Sequence, residues 1–119
     1  MQLSSLRAYN MTLLTKSLYL SGLQCHRLLW FASRKKLPSP TLSDKHKFEQ
    51  GYQFEEYVRQ LYPDAIDLKN LHFQENLDKT RQAIEENRPI FEAGFLIDNL
   101  YVRCDLLIPA EDGWDLYEI

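Results

Sequence analysis

The sequence predicts an α+β domain in which N-terminal helices are followed by a three-stranded antiparallel β-meander. Three observations carry that expectation. Apolar and aromatic residues recur at helical spacing over residues 47–62 and 76–87. After Pro89 the pattern becomes extended, with apolar runs over residues 90–97 and 100–108 flanking the dipeptide Asp98-Asn99. A third alternating run, residues 114–119, follows a short segment of turn-forming residues at 109–113.

Taken in order, residues 1–14 show no strong period and are assigned to an N-terminal extension, with 15–119 as the domain. Thr15 can cap a helix through its hydroxyl. Residues 18–31 are apolar enough for one or two short buried helices packed over the core, with Gly22 as the break. Pro38 and Pro40 lie among polar residues and mark a linker, because proline removes a backbone donor and restricts the residue before it. Ser43 or Asp44 is available to cap the next helix. In that helix Phe48, Tyr52, Val58 and Tyr62 fall on one broad stripe, widened by Phe54 and Leu61, and Pro63 follows its end. Glu55 sits inside the stripe. A carboxylate on such a face must reach solvent, find a partner or hold a cation, since burying it unpaired costs roughly several kcal/mol. In the second helix Leu77, Thr80 and Ile84 share a face, and Asn87 suits its end. Asp98-Asn99 tolerates the positive φ of a tight hairpin turn.

Composition narrows the class. A chain of 119 residues is long enough to bury one core and short for two. With 45% hydrophobic and 26% charged residues, seven Tyr, six Phe and two Trp, it has a globular rather than a disordered profile. No apolar run approaches the roughly 20 residues of a membrane span and no signal-peptide pattern opens the chain, so a soluble cytoplasmic protein is expected. Cys25 and Cys104 form no CxxC pair, and His26, His46 and His72 have no zinc-like spacing. A net charge of -3 argues against electrostatic coating of nucleic acid. Arg27, Arg34, Lys35 and Lys36 nonetheless cluster near the N-terminus, as a local nucleic-acid-binding patch or as a solvated helix end.

The acidic residues of the last strands add a chemical expectation. If these strands pair symmetrically about the turn at 110–113, residue 108 lies opposite 115, and Asp105 therefore faces Glu118. Directly opposed side chains have Cβ atoms about 4.5–5.5 Å apart, where two carboxylates repel. A hard divalent cation reconciles them: Mg²⁺ prefers oxygen ligands, keeps several waters and uses one or two carboxylates. A one-residue slip would send the acids to opposite faces.

An acid on the second strand followed across a turn by an acid on the third resembles the PD-(D/E)XK nuclease superfamily. Here the pattern reads Asp105, then Glu118-Ile119; the superfamily's lysine would be the next residue. Arg103-Cys104 precede the first acid in place of its proline. The longer series KSLYLSGLQCHRLLW, FEQGYQFEEYVRQLYP, FEAGFLIDNLYVRCDLL and GWDLYEI is similar to the RecB-type branch, which includes CRISPR-associated exonucleases and a related bacterial domain family. The likeness spans residues 15–119 and implies the N-terminal part of a restriction-endonuclease-like α/β core, truncated before a further helix and strand.

The resemblance further implies metal-dependent phosphodiester hydrolysis of nucleic acid, DNA first. Asp105, Glu118 and the Ile119 carbonyl would hold Mg²⁺ or Mn²⁺. Glu55 matches a metal-proximal acid of the preceding helix, and Glu92 is a supporting acid. Without the lysine, weak or no activity is expected of this chain. Cys25 matches the position of an iron-sulfur ligand in several relatives, a role that requires C-terminal cysteines not found here; a buried structural thiol is the alternative, and Cys104 is expected in the core. The competing functional expectation is a noncatalytic nucleic-acid- or protein-binding module on a degenerate nuclease fold. An unrelated interaction domain exposing Trp30 and Trp114 is a third.

Overall fold

The computed structural model describes residues 13–119, so residues 1–12 of the expected extension lie outside the described residues. In chain order the elements are β1 (Leu14–Thr15), α1 (Lys16–Gln24), α2 (His26–Ser33), α3 (Leu42–Leu61), β2 (Ile66–Asp67), α4 (Phe73–Glu85), β3 (Ile90–Ile97), β4 (Leu100–Ala110) and β5 (Gly113–Tyr117). The class is α+β, as expected. The sheet is mixed rather than a three-strand meander alone, because β1 and β2 add short parallel pairings to the successive strands β3, β4 and β5. Two-residue strands are shorter than one alternation of side chains, so no periodicity marks them.

The chain divides into two units. One contains the described residues up to Leu37 together with Phe95–Val102; the other contains Pro38–Gly94 and Arg103–Ile119. Strands β3 and β4 contribute to both.

In the first unit Thr15 caps α1, its Oγ1 accepting from the Leu18 N–H at 3.3 Å. Helix α1 runs through Gly22 and stops at Cys25, whose extended backbone (φ -164°, ψ 127°) separates it from α2. The break therefore falls at Cys25. Gly22 has a different use: a Cβ there would lie 3.0 Å from Leu29 Cδ2, so the missing side chain lets α2 approach α1. Contrary to expectation, no described residue of this unit is buried, and Tyr19, Leu20, Leu23 and Trp30 are all at least 46% exposed. The apolar composition of these helices reported surface that can be buried, while helical spacing alone does not say what covers it.

The second unit holds the core. Leu68, Leu77, Ala83, Ile90, Phe91, Ala93, Leu106 and Leu107 are its buried apolar side chains. Helix α3 begins earlier than its apolar pattern because Thr41 and Asp44 form a capping box: Thr41 Oγ1 accepts from the Asp44 N–H and Asp44 Oδ2 from the Thr41 N–H. Thr41, rather than Ser43 or Asp44, is thus the N-cap. The aromatic stripe of α3 is mostly exposed at Phe48, Tyr52, Phe54 and Leu61. Tyr62, at its end, meets Phe91 edge-on with ring centroids 6.3 Å apart.

The hairpin turn and the last register follow expectation. Asp98 takes φ +53° in the two-residue turn between β3 and β4. Strands β4 and β5 pair antiparallel with Ile108 opposite Asp115 and Leu106 opposite Tyr117.

Strand β3 contains an irregularity with no counterpart in the alternation. Glu92 has φ +59°, in the left-handed region, and burial along the strand reads as two buried residues on either side of it. A non-glycine residue there costs on the order of 1–3 kcal/mol, so the surroundings must hold it. Two polar side chains of α4 do so from the interior. Asn76, 0% exposed, donates from Nδ2 to the Glu92 carbonyl at 2.8 Å. Thr80, 2% exposed and one helical turn later, accepts the Gly94 N–H at 2.9 Å.

Candidate functional site

The second unit gathers charged side chains from α3, β2 and the loop after it, β3 and β4. Glu55 and Arg59 are one turn apart on α3, with Arg59 Nη1 3.3 Å from Glu55 Oε2. Arg59 Nε also meets Asp67 Oδ2 at 2.8 Å, and its guanidinium lies 5.1 Å over the Phe91 ring. Burial works against the Arg59 charge, but the bonds and charges of Asp67 and Glu55 outweigh it and hold the guanidinium above its ordinary pKa. Lys69 Nζ is a second cation on Glu55 Oε2, at 3.1 Å. Glu55 thus resolves its position on the stripe by finding two partners.

The loop carrying Lys69 is fixed from two sides. Its N–H donates to Asp67 Oδ1 at 2.9 Å, an Asx-type turn. Arg103 donates to the Lys69 carbonyl at 3.0 Å and to the Leu71 carbonyl. Arg103 and Asp105 are two apart on β4, so strand geometry places them on one face.

Glu92 lies within the electrostatic reach of Asp105. Burial, and after it the Asp105 charge, raise the Glu92 pKa above its ordinary 4.5; Glu55 adds to the rise, while Arg103 and Arg59 oppose it. The observed register has the phase expected from the sequence but ends at Leu106 opposite Tyr117, one pair short of Asp105 and Glu118. Beyond that the ends differ from the expected metal pair. Strand β5 stops at Tyr117, Glu118 is exposed, and Asp105 Oδ2 accepts the Ile119 N–H at 2.9 Å. The Ile119 main chain therefore meets Asp105 through its donor, whereas the expected metal contact used its carbonyl.

Among the described residues no group of three or more His, Cys, Asp and Glu side chains is placed to hold a metal ion. The donor chemistry still suits a hard cation. Asp105 and Glu92 offer only oxygen ligands, and Mg²⁺ takes one or two carboxylates and completes its shell with water.

The raised Glu92 pKa makes a test of its own. Below the ordinary carboxylate range Glu92 is protonated in both folded and unfolded chains and has no electrostatic effect. As pH rises the unfolded chain ionises first, so a destabilising contribution grows and levels off above the folded pKa. Glu92→Gln is expected to be more stable than wild type at pH 7, by less than about 1 kcal/mol for a half-exposed group. Urea unfolding across this range should show the advantage shrinking towards pH 4.5. An advantage independent of pH would refute the electrostatic account.

The basic run lies in the first unit. Arg34 sits 4.3 Å and Lys36 5.6 Å over the Trp30 ring, and Arg27 5.8 Å over Phe31. Trp30 and Phe31 meet edge-on, with centroids 5.0 Å apart. Lys35 takes φ +54° just after α2. All four cations are exposed. Cys25 is exposed between α1 and α2, which overturns the buried thiol; Cys104 is in no disulfide and is half-buried rather than fully in the core. The physical reason for the first is that neither helix of this unit has a buried residue.

No family model, curated protein or solved structure matches the chain. No described helix is long and apolar enough to cross a membrane.

Sequence reasoning reached Asp105, Glu55 and Glu92 but passed over Arg59, Asp67, Lys69 and Arg103. Two of these had a signal: Arg59 is four residues after Glu55, and Arg103 shares the strand face of Asp105. Asp67 and Lys69 had none, since both are placed by a two-residue strand and a short loop.

Proposed function

We propose that the second unit carries the acidic part of a divalent-cation centre for phosphodiester hydrolysis of nucleic acid, with DNA as the first substrate to test. What supports this reading is the gathering of acids from three elements, with Asp105 on β4, Glu92 on β3 and Glu55 on α3, where burial first and the Asp105 charge after it oppose ionisation of Glu92. A bound Mg²⁺ or Mn²⁺ would polarise a phosphate and lower the pKa of a bound water. Asp105 and Glu92 would be its carboxylate ligands, with Glu118 and the Ile119 carbonyl as further oxygen donors. Glu55 pairs with Arg59 and Lys69, which would supply positive charge in this unit. An open cleft of about 910 Å³ along α3 has Lys45 and Lys69 and the aromatic Tyr52 and Tyr57 in its lining, with Glu49 and Glu56 beside them, so a nucleic-acid strand there would meet both signs of charge. In the first unit Arg27, Arg34, Lys35 and Lys36 are the proposed phosphate contacts. An iron-sulfur role for Cys25 would require ligands from cysteines outside this sequence.

The reading is tested by incubating the chain with an end-labelled DNA oligonucleotide and Mn²⁺. Slow cleavage that chelation suppresses and Asp105→Ala removes is expected. Cleavage undiminished in Asp105→Ala, or no Mn²⁺ binding by the wild type, would sink it. Metal-independent DNA binding without cleavage would favour the noncatalytic module.

A further inference from the structure

Charge is divided unevenly along the chain. No Asp or Glu precedes Asp44, and no Lys or Arg follows Arg103. The described residues of the first unit hold five cations, Lys16, Arg27, Arg34, Lys35 and Lys36, against one acid, Asp98. That positive surplus stands in a chain whose net charge is -3. In the second unit Arg59, Lys69, Arg81 and Arg88 pair with acids. Among the described residues Arg27, Arg34, Lys35 and Lys36 enter no ion pair, and three of them lie over aromatic rings instead. Trp30 is at the centre of this group. It is 46% exposed, with Arg34 4.3 Å and Lys36 5.6 Å over its ring, while Arg27 lies over Phe31, which meets Trp30 edge-on. Spacings of three and four residues put Arg27, Trp30 and Arg34 on one face of the helix.

Helix polarity accounts for only part of this arrangement. Arg34, Lys35 and Lys36 follow the C-terminus of α2, where cations offset exposed carbonyls, and Arg34 Nη1 donates to the Trp30 carbonyl at 3.3 Å. Arg27 is the second residue of α2, at the end where a positive charge is unfavourable. The chain then turns back: the Lys35 N–H donates to the Ala32 carbonyl and the Lys36 N–H to the Phe31 carbonyl, both at 3.0 Å, with Lys35 left-handed. This closure brings Lys36 back to the Trp30 ring.

We propose that Trp30 is a base-stacking anchor: an unpaired base of a single-stranded nucleic acid lies on its indole while Arg27, Arg34, Lys35 and Lys36 take the neighbouring phosphates. The proposal rests on the reading of these cations as phosphate contacts and not on the cation centre. An aromatic face set among cations matches a strand in which bases and phosphates alternate. A duplex keeps its base faces covered, so a ring in this position selects the unpaired strand. Cation–π attraction at an exposed site is weaker than a charge-assisted bond to phosphate. The phosphates therefore draw Arg34 and Lys36 off the ring and leave it to a base.

The test uses the full chain with a chelator present, so that hydrolysis and the cation centre are both silent. Binding of a labelled oligothymidylate is followed by fluorescence anisotropy, and Trp30 emission by titration of a Trp114→Phe variant. Binding is expected to quench Trp30 and to weaken with salt at a log–log slope of about -3 for four phosphates. Trp30→Leu should bind about tenfold more weakly at an unchanged slope. Arg34→Gln combined with Lys36→Gln should reduce the slope by about 1.4. Circular dichroism checks the fold of each variant. No binding at low salt, or binding that leaves Trp30 emission unchanged, overturns the proposal, and neither result needs Trp30→Leu to fold. Quenching of equal size by a blunt duplex overturns the stacking role. Binding to phosphatidylserine vesicles with none to the oligonucleotide overturns the proposal in favour of a lipid surface. Oligonucleotide binding with quenching but no Mn²⁺-dependent cleavage sinks the hydrolytic centre alone, and cleavage without quenching sinks the anchor alone.

Discussion

Replacing Asp105 by Asn is expected to abolish the stabilisation of this chain by Mn²⁺ while leaving the metal-free protein folded. A ligand that binds only the folded state stabilises it by about 2.7 kcal/mol at one hundred times its dissociation constant. For the wild type this should appear as a rise in melting temperature with Mn²⁺ concentration, and for Asp105→Asn as a flat response. Asparagine retains an oxygen that can accept the Ile119 N–H, the bond that Asp105 Oδ2 makes at 2.9 Å, so the β4–β5 end should stay closed. It also removes the negative charge that opposes ionisation of Glu92. Without metal the variant should therefore unfold at or slightly above the wild-type temperature near neutral pH. A Mn²⁺-dependent rise of equal size in both proteins would place any bound cation elsewhere.

Phe91→Ala should have the largest effect on stability, a loss of about 3–5 kcal/mol. Phe91 is 2% exposed at the point where β3 meets α3. Its ring packs edge-on against Tyr62 and under the Arg59 guanidinium. Truncation leaves a cavity and also loosens the cation that pairs with both Asp67 and Glu55. Since folded domains are stable by only about 5–15 kcal/mol, denaturant unfolding should show a large fall in midpoint. Phe91→Leu, which keeps most of the apolar volume, should lose clearly less. Equal losses in the two variants would mean that the aromatic contacts and the space they fill contribute little. The two substitutions separate the proposed site from its support: Asp105→Asn would act on the proposed cation binding, Phe91→Ala on the framework.

Much of this arrangement was legible from the residues. The change from helical to alternating pattern after Pro89 located the hairpin, and Asp98-Asn99 located its turn because few dipeptides accept positive φ there. The turn at 110–113 fixed the β4–β5 register, since a two-residue repeat leaves one pairing that keeps the apolar residues together. Glu55 was correctly marked as an acid needing a partner. Its partners were harder to read. Arg59 stands at helical spacing from it and went unread, while Lys69 comes from a loop held by Arg103, and no local pattern encodes a contact across fourteen residues. The burial expected for α1, α2 and Cys25 failed because hydrophobicity states a tendency while packing decides its outcome.

The sequence by itself determined the α+β class, the order of the main helices and strands, the turn between β3 and β4, and the phase of the β4–β5 pairing that sets Ile108 opposite Asp115. These depend on local backbone preferences and on side-chain period, both properties of neighbouring residues. Only the tertiary structure decided the backbone conformation of β3 at Glu92. Glu92 is left-handed in the middle of a strand, a conformation that local preference disfavours, and the buried Asn76 and Thr80 of α4 bond to the main chain next to it. A strained residue persists through contacts distant in sequence, and so alternation along β3 could not reveal it.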